Sequence, residues 1–351
     1  MATMKAVVYP KYTVPSGYNI AVVNRPDIVG DKDVLIKVYA AGINPVDVKT
    51  AEGQLKHVIH QTFPAQFGYD LSGVVAKVGK GVTEFVEGDQ VYSILPAYEL
   101  GAFQEYALTT VDYVARKPKN ITFEEAASLP LAALTSLQSL LAIESGLAGK
   151  TLLVKAGLSG TGSMGVQLAK NVFGASKVIT TLSTSKIPKL ESCIGAGIVD
   201  EVIDYTKEDP GKIIPAGSLD AVYDTVGNAF ASLHLIKRGG SLITITGIPA
   251  SSDISEAVAK PLPWYVSSII SAAGSVSRYR AKRRGVTYKG ILLHNYAGQL
   301  NKITEYVEEG KLKPVVGRVV DFADEKALKE AFAEVLSGKG LIGKTVIKFA
   351  E

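Results

Sequence analysis

Short runs in which apolar and polar residues alternate fill the first third of the chain: Met4–Tyr9, Asp33–Tyr39, Leu71–Gly79, Gly88–Tyr92 and Phe103–Leu108. A period of two gives each run one buried face, and such short, regularly spaced runs predict a twisted antiparallel barrel reaching to about residue 115. Near Ile121 the texture changes. Thr122 and Glu125 stand at capping-box spacing, and an alanine- and leucine-rich run predicts helix from there to about residue 145. Beyond it apolar strands are expected at 151–156, 178–182, 200–204, 219–224, 241–245 and 290–293, separated by helical patterns. That alternation describes a doubly wound parallel sheet of the α/β class. An insert at 248–288 holds Trp264, Tyr265, Tyr279 and Tyr288 and has the length of a lid or binding loop. A helix from Gly298 to Glu309 and strands Val315–Val320 and Lys344–Phe349 are read as returning to the first domain.

Within this pattern the run Thr151–Gly165 carries the clearest chemistry. A strand feeds into Gly160-x-Gly162-x-x-Gly165 and then into a helix with Met164, Leu168 and Val172 on one face. Glycines there allow a tight turn and close approach of a pyrophosphate to the first N–H groups of the helix. Strand, loop, helix and strand again is the context that makes the motif a dinucleotide site. After the second strand the chain reads Ser183-Thr184-Ser185-Lys186, with hydroxyls and an ammonium where an acidic residue would bind a ribose 2′-OH. This favours NADPH over NADH. Tyr205 is expected to add a phenol to the same pocket. Thr161, Gly227 and Gly247 join Gly160 and Gly162 as candidate cofactor contacts.

Composition narrows the class without changing this picture. The chain has 351 residues, 47% hydrophobic and 21% charged, with a net charge of +4. It is long enough for two cores and has no bulk charge that calls for nucleic acid or membrane. The cluster Arg278, Arg280, Lys282, Arg283 and Arg284 reads as a solvated loop or helix end rather than a polyanion site, because no repeated aromatic pattern accompanies it. A single cysteine, Cys193, rules out an internal disulfide, fits a reducing compartment, and is expected to be a small buried hydrophobe. With no leader or membrane span visible, a cytoplasmic protein, monomer or homodimer, is the expectation.

Several ordered motifs together resemble the medium-chain dehydrogenase/reductase superfamily, in its zinc-free quinone oxidoreductase and enone (alkenal) reductase branch. They are Ala40–Lys49 (AAGINPVDVK), Gly68–Val75 (GYDLSGVV), Gly88–Val91 (GDQV), Ala126–Ala132 (AASLPLA) and the glycine loop, and the likeness covers nearly the whole chain. The resemblance implies a GroES-like β-barrel catalytic domain, residues 1–126 and 299–351, split around a Rossmann dinucleotide-binding domain, residues 127–298. Zinc-dependent relatives place a Cys where Asn44 stands and a His-Glu pair where Tyr69-Asp70 stands, so no metal site is expected. His57 and His60 form the close histidine pair, and their spacing suits a polar loop or helix face better than a site.

Reduction of a C=C bond conjugated to a carbonyl suits such a site. Hydride comes from the cofactor, charge spreads to the carbonyl oxygen, and a few hydrogen-bond donors hold the enolate. Quinones follow the same logic. Asn44, Lys49, Tyr69 and Thr135 are the candidate polar groups, and the resemblance puts Asn44 and Lys49 near the nicotinamide ribose and substrate. The expected activity is NADPH-dependent reduction of α,β-unsaturated carbonyls or quinones. The alternatives are an enoyl reductase acting in trans on carrier-bound polyketide intermediates and a non-catalytic NADPH- or RNA-binding protein. Two departures from the family pattern are the loop Ala156-Gly157-Leu158-Ser159-Gly160-Thr161-Gly162 and Ile342 in place of an arginine, the second weakening the NADPH preference.

Overall fold

The alternating runs pair into sheets in the computed structural model, which describes residues 2–99, 101–294 and 298–349. In chain order the strands are β1 (Thr3–Tyr9), β2 (Asn19–Asn24), β3 (Asp33–Ile43), β4 (Ala65–Gln66), β5 (Asp70–Val78), β6 (Gln90–Ile94), β7 (Tyr106–Thr110) and β8 (Val114–Arg116). They continue with β9 (Thr151–Val154), β10 (Lys177–Leu182), β11 (Glu201–Asp204), β12 (Leu219–Asp224), β13 (Ile236–Thr244), β14 (Thr287–Gly290), β15 (Val316–Asp321) and β16 (Lys344–Lys348). The helices are α1 (Pro45–Ala51), α2 (Phe123–Ala127), α3 (Pro130–Leu141), α4 (Gly160–Asn171) and α5 (Leu190–Ile194). After them come α6 (Pro210–Ile213), α7 (Ser251–Ala257), α8 (Trp264–Lys282), α9 (Gln299–Glu308) and α10 (Glu325–Ser337). The chain divides into two compact units, one of Met1–Leu131, Tyr296–Glu308 and Val316–Glu351, the other of Ala132–Asn295 and Glu309–Val315.

In the first unit the sheet order is β15-β16-β3-β5-β6-β8, with β7 also on β3, beside a smaller sheet β2-β1-β4. Pairing is antiparallel except between β15 and β16. Aromatic rings fill the core: Phe67 meets Phe103 edge-on at 4.9 Å between centroids, and Phe332 meets Phe103 at 5.2 Å. Phe332 comes from α10, a helix outside the sequence expectation. Asp324 caps its first turn through the Ala327 amide, Gly338 ends it in the left-handed region at φ 63°, and Leu328, Ala331, Phe332 and Val335 form its buried stripe.

The second unit is a six-stranded parallel sheet among the described residues, ordered β11-β10-β9-β12-β13-β14. The order reverses between β9 and β12, and ligands of such sheets bind at the carboxyl ends of the strands there. Its core gathers Leu153, Ile179, Val222, Leu235 and Leu242.

Four details depart from the sequence expectation. The long helix from Thr122 is two, because Pro130 has no N–H to continue the first and starts α3 instead. The last strand of the parallel sheet is Thr287–Gly290 rather than 290–293. Its residues pair with Ser241–Thr244, and it stops at Gly290, where any Cβ would collide with the Ile248 carbonyl. The C-terminal return is interrupted, since Glu309–Val315 packs with the second unit, where the Gln167 amide clamps the Lys313 backbone at 2.8 and 3.0 Å. Cys193 is half-buried rather than buried, because α5 turns Leu190 and Ile194 inward and leaves position 193 at the side.

Candidate active site

In the second unit the turn after β9 is shaped for an anion. Ser159 caps α4 by accepting from the Gly162 amide at 3.0 Å, so the amides of Gly160 and Thr161 are left by the cap to face outward from the helix start. A Cβ at Gly162 would run into the Ala156 carbonyl, and one at Gly165 would lie 2.8 Å from the Tyr223 ring, so both positions require glycine. The loop is anchored from beneath: Thr181 Oγ1 accepts the Ala156 amide at 3.0 Å, and Ser136 Oγ donates to the Thr161 carbonyl at 2.8 Å. Ser136 precedes the turn on α3 beside buried Thr135, and burial pushes the neighbouring Tyr223 phenol up to about 12. These residues fit a dinucleotide pyrophosphate.

Next to the loop, at the carboxyl ends of β9, β12 and β13, lies a buried network absent from the sequence expectation. Lys155 Nζ stands 3.3 Å from Asp224 Oδ1, an ion-pair separation without hydrogen-bond alignment, and donates to the Asn228 carbonyl. Asp224 Oδ2 accepts from Thr244 Oγ1 at 3.0 Å and from the Gly227 amide at 3.2 Å. Gly247 has no room for a side chain beside the Tyr288 hydroxyl. The network thus fixes Gly227 directly. Its signal in sequence was a charged residue at the end of two apolar strands flanking the point where strand order reverses.

At the ends of β10 and β11, Ser183, Thr184, Lys186 and Tyr205 come together, because Tyr205 donates its amide to the Leu182 carbonyl at 3.1 Å. Ser183 and Lys186 are half-buried, Thr184 and Tyr205 exposed, and burial lowers the pKa of Lys186. Strand pairing also delivers an acid that the sequence reading did not place here. Asp204 accepts from Thr184 Oγ1 and Thr206 Oγ1, bonds that hold its carboxyl below the usual range.

In the first unit, Asn44, Asp47 and Asp70 meet around Lys344, with buried Tyr69 next to Asp70 in the chain. Asn44 precedes α1, and its backbone amide donates to Asp47 Oδ2 at 2.6 Å, closing the first turn. Its side chain donates to Asp70 Oδ2 at 3.0 Å and accepts from Lys344 Nζ, which also lies 3.2 Å from Asp70. Asp70 Oδ1 takes the Leu131 amide at 2.9 Å. Burial pushes the Asp70 carboxyl up, while Lys344, Asn44 and the Leu131 amide pull it down. Burial likewise drives Tyr69 upward, with Asp47 adding to it. Lys49 stands apart on the last turn of α1, exposed, with no ion pair among the described residues.

This donor set does not fit zinc. The oxygens of Asn44 and Asp70 are taken by an ammonium, which would repel a dication, and no neighbouring thiolate or imidazole completes a tetrahedron. Among the described residues no group of three or more His, Cys, Asp or Glu could hold a metal ion. His57, in a turn, and His60, in the loop after it, are both exposed.

Residues 30–119 match the alcohol dehydrogenase GroES-like domain family, and residues 199–347 match the family described as zinc-binding dehydrogenase. The chain is 38% identical over 336 residues to a 2-methylene-furan-3-one reductase of Solanum lycopersicum, covering 94% of this chain and 74% of that protein. It is also 38% identical over 323 residues to an NADPH-dependent alkenal/one oxidoreductase, chloroplastic, of Arabidopsis thaliana, covering 89% and 72%. Among solved structures it resembles a quinone oxidoreductase from Coxiella burnetii, at 28% identity and a TM-score of 0.79 over 99% of both chains.

Proposed function

Because this chain belongs to the medium-chain dehydrogenase/reductase family, in its quinone oxidoreductase and enone reductase branch, we propose that it reduces the C=C bond of α,β-unsaturated carbonyls, or quinones, with NADPH. The observation that carries the proposal is the 38% identity with relatives named for an exocyclic enone and for alkenals and alkenones, together with the anion-ready loop Ser159–Gly162. The cofactor supplies the hydride when bound. The chain's part is to seat the pyrophosphate on the Gly160 and Thr161 amides and to recognise the 2′-phosphate with Ser183 and Lys186. A positive or hydrogen-bonding group must also face the substrate oxygen. Of the four candidates, Lys49 keeps a chemically free ammonium. Asn44 has its polar atoms bound within the first unit and acts as a positioning residue at the start of α1. Tyr69 and Thr135 are buried on their own units.

Nothing in these relatives favours a carrier-bound substrate or a non-catalytic role. No described helix is long and apolar enough to cross a membrane, and cytoplasmic residence is part of the proposal. The test is reduction of a simple enone with NADPH carrying deuterium at the transferred position. Deuterium on the β-carbon of a saturated ketone is the expected product. Deuterium on the carbonyl carbon of an allylic alcohol, or no oxidation of NADPH by any enal, enone or quinone, would overturn the assignment.

A further inference from the structure

The arginines around the end of α8, expected from sequence to form a solvated helix end, meet at one concavity. At the end of α8, Arg280, Arg283 and Arg284 line a hollow of about 500 Å³ with Phe230, Leu233 and His234, the segment that leads into β13. Because the sheet is parallel, the starts of β13 and β14 lie at the opposite end of this unit from the carboxyl ends that hold the glycine loop. The hollow is therefore a second site and not an extension of the first.

Its three arginines form no ion pair among the described residues. No Asp or Glu occurs between Glu256 and Glu305, a stretch that contains the whole of α8. Among the described residues the ion-paired arginines are Arg116 and Arg318, and Arg280, Arg283 and Arg284 have no carboxylate within pairing distance. Arg238 adds a fourth guanidinium chain beside Gly285. One of the three is also held in place: the Arg280 guanidinium lies 4.4 Å over the Phe230 ring, whose ring in turn stacks on Tyr288 at 5.4 Å. His234 is oriented by its contact with the Gly211 carbonyl at 3.1 Å.

We propose that this hollow binds a small oligophosphate anion, through the forked donors of Arg280, Arg283 and Arg284. Guanidinium groups match phosphate oxygens two at a time, and gathering three of them without counter-charge is unfavourable until an anion arrives. A volume of about 500 Å³ is in the range of small-ligand sites. The chemistry is that of linked phosphates rather than of a nucleobase, since Phe230 has Tyr288 stacked on it and Arg280 over it and offers no open platform for a base. A concave site with no stacking surface also favours a small anion over single-stranded nucleic acid.

The experiment is calorimetric titration of the full chain with inorganic pyrophosphate, with and without saturating NADPH. Saturable binding that persists under NADPH is expected, with the Kd for pyrophosphate raised at least tenfold in R283A/R284A and NADPH KM changed less than twofold. R280A, which also removes the cation over Phe230, gives an independent variant and should weaken binding as well. ADP titrated in parallel should bind comparably if the source is a nucleotide and more weakly if it is free pyrophosphate, either result supporting the site. Loss of all binding under NADPH, unchanged affinity in both variants, or binding of an oligonucleotide without binding of pyrophosphate would overturn the proposal.

Discussion

The Lys344 ammonium lies 3.2 Å from the Asp70 carboxylate in a setting that leaves 5% and 0% of the two side chains exposed. A residue from the terminal strand β16 thus neutralises one at the start of β5, and Asn44 bridges them by donating to Asp70 and accepting from Lys344. The pair sits where β16, β3 and β5 run side by side in the sheet of the first unit.

Removing one member of such a pair strands the other. Lys344→Met keeps the length of the side chain but leaves Asp70 buried without its countercharge, and should cost about 3–5 kcal/mol of stability. Lys344→Met combined with Asp70→Asn should recover a substantial part, because no buried charge is then left alone. Urea unfolding of the three proteins checks this. A single variant within about 1 kcal/mol of wild type would mean that water reaches the pair.

Asp47 gives the protein a pH dependence. Burial pushes its carboxyl up to about 8, opposed by the Asn44 backbone bond and the Lys344 charge and reinforced by Asp70. Its Oδ1 is buried without a hydrogen-bond partner, which suits a protonated acid. The unfolded chain releases this proton near pH ~4 while the folded one keeps it to about 8, so the unfolded state binds fewer protons in between. Stability from this group is complete below pH ~4 and is lost as pH rises through about 8. Thermal unfolding of wild type and Asp47→Asn at several pH values should show a shallower decline in the variant between pH ~5 and ~8. Parallel curves would remove Asp47 as the cause.

Much of this architecture was legible because it rests on local periodicity. Two-residue alternation marked β3 and β5, and the strand-loop-helix run marked β9 and α4. The helix α10 carried readable signals of the same kind in Asp324, Gly338 and its stripe from Leu328 to Val335. What stayed hidden depends on pairing at a distance. Lys344 and Asp70 are 274 residues apart, and no spacing rule joins them. Asp204 reaches Thr184 only because β11 lies beside β10. For β14 the run Ile291–Leu293 is more apolar than Thr287–Gly290, yet pairing with β13 selects the latter.

Metal removal should leave the enzyme unaffected. The Asp70 and Asn44 oxygens already bind an ammonium, so a strong chelator has nothing essential to extract. Activity after prolonged dialysis against dipicolinate, with zinc measured by mass spectrometry, checks this. Stoichiometric zinc whose loss parallels loss of activity would contradict it.

Cofactor choice should turn on Lys186. Lys186 is half-buried and its backbone amide donates to the Ser183 carbonyl, so Lys186→Ala should raise the KM for NADPH about tenfold and change that for NADH little, as for one charge-assisted contact of about 1.4 kcal/mol. If the 2′-phosphate lies beside Lys186 as proposed, the Asp204 carboxylate repels it, and Asp204→Asn should lower the KM for NADPH. Equal effects of Lys186→Ala on both cofactors would remove the lysine from specificity.

Asn44 and Lys49 should separate by what their loss damages. Asn44→Ala takes one of the two donors from Asp70 Oδ2 and leaves a donor on Lys344 unmatched in the core, so a stability loss of about 1–3 kcal/mol should accompany any loss of activity. Lys49 is exposed and its ammonium makes no ion pair among the described residues, so Lys49→Ala should leave the unfolding midpoint unchanged. If its ammonium helps hold the charge that develops on the substrate oxygen, kcat/KM should fall about ten- to a thousandfold, mostly in kcat. Lys49→Arg should then restore part of the rate, since the positive charge survives while its geometry changes. A fully active Lys49→Ala variant would return the role of oxygen-stabilising group to Tyr69 or Thr135, and the same stability and rate measurements on Tyr69→Phe and Thr135→Val would decide between them.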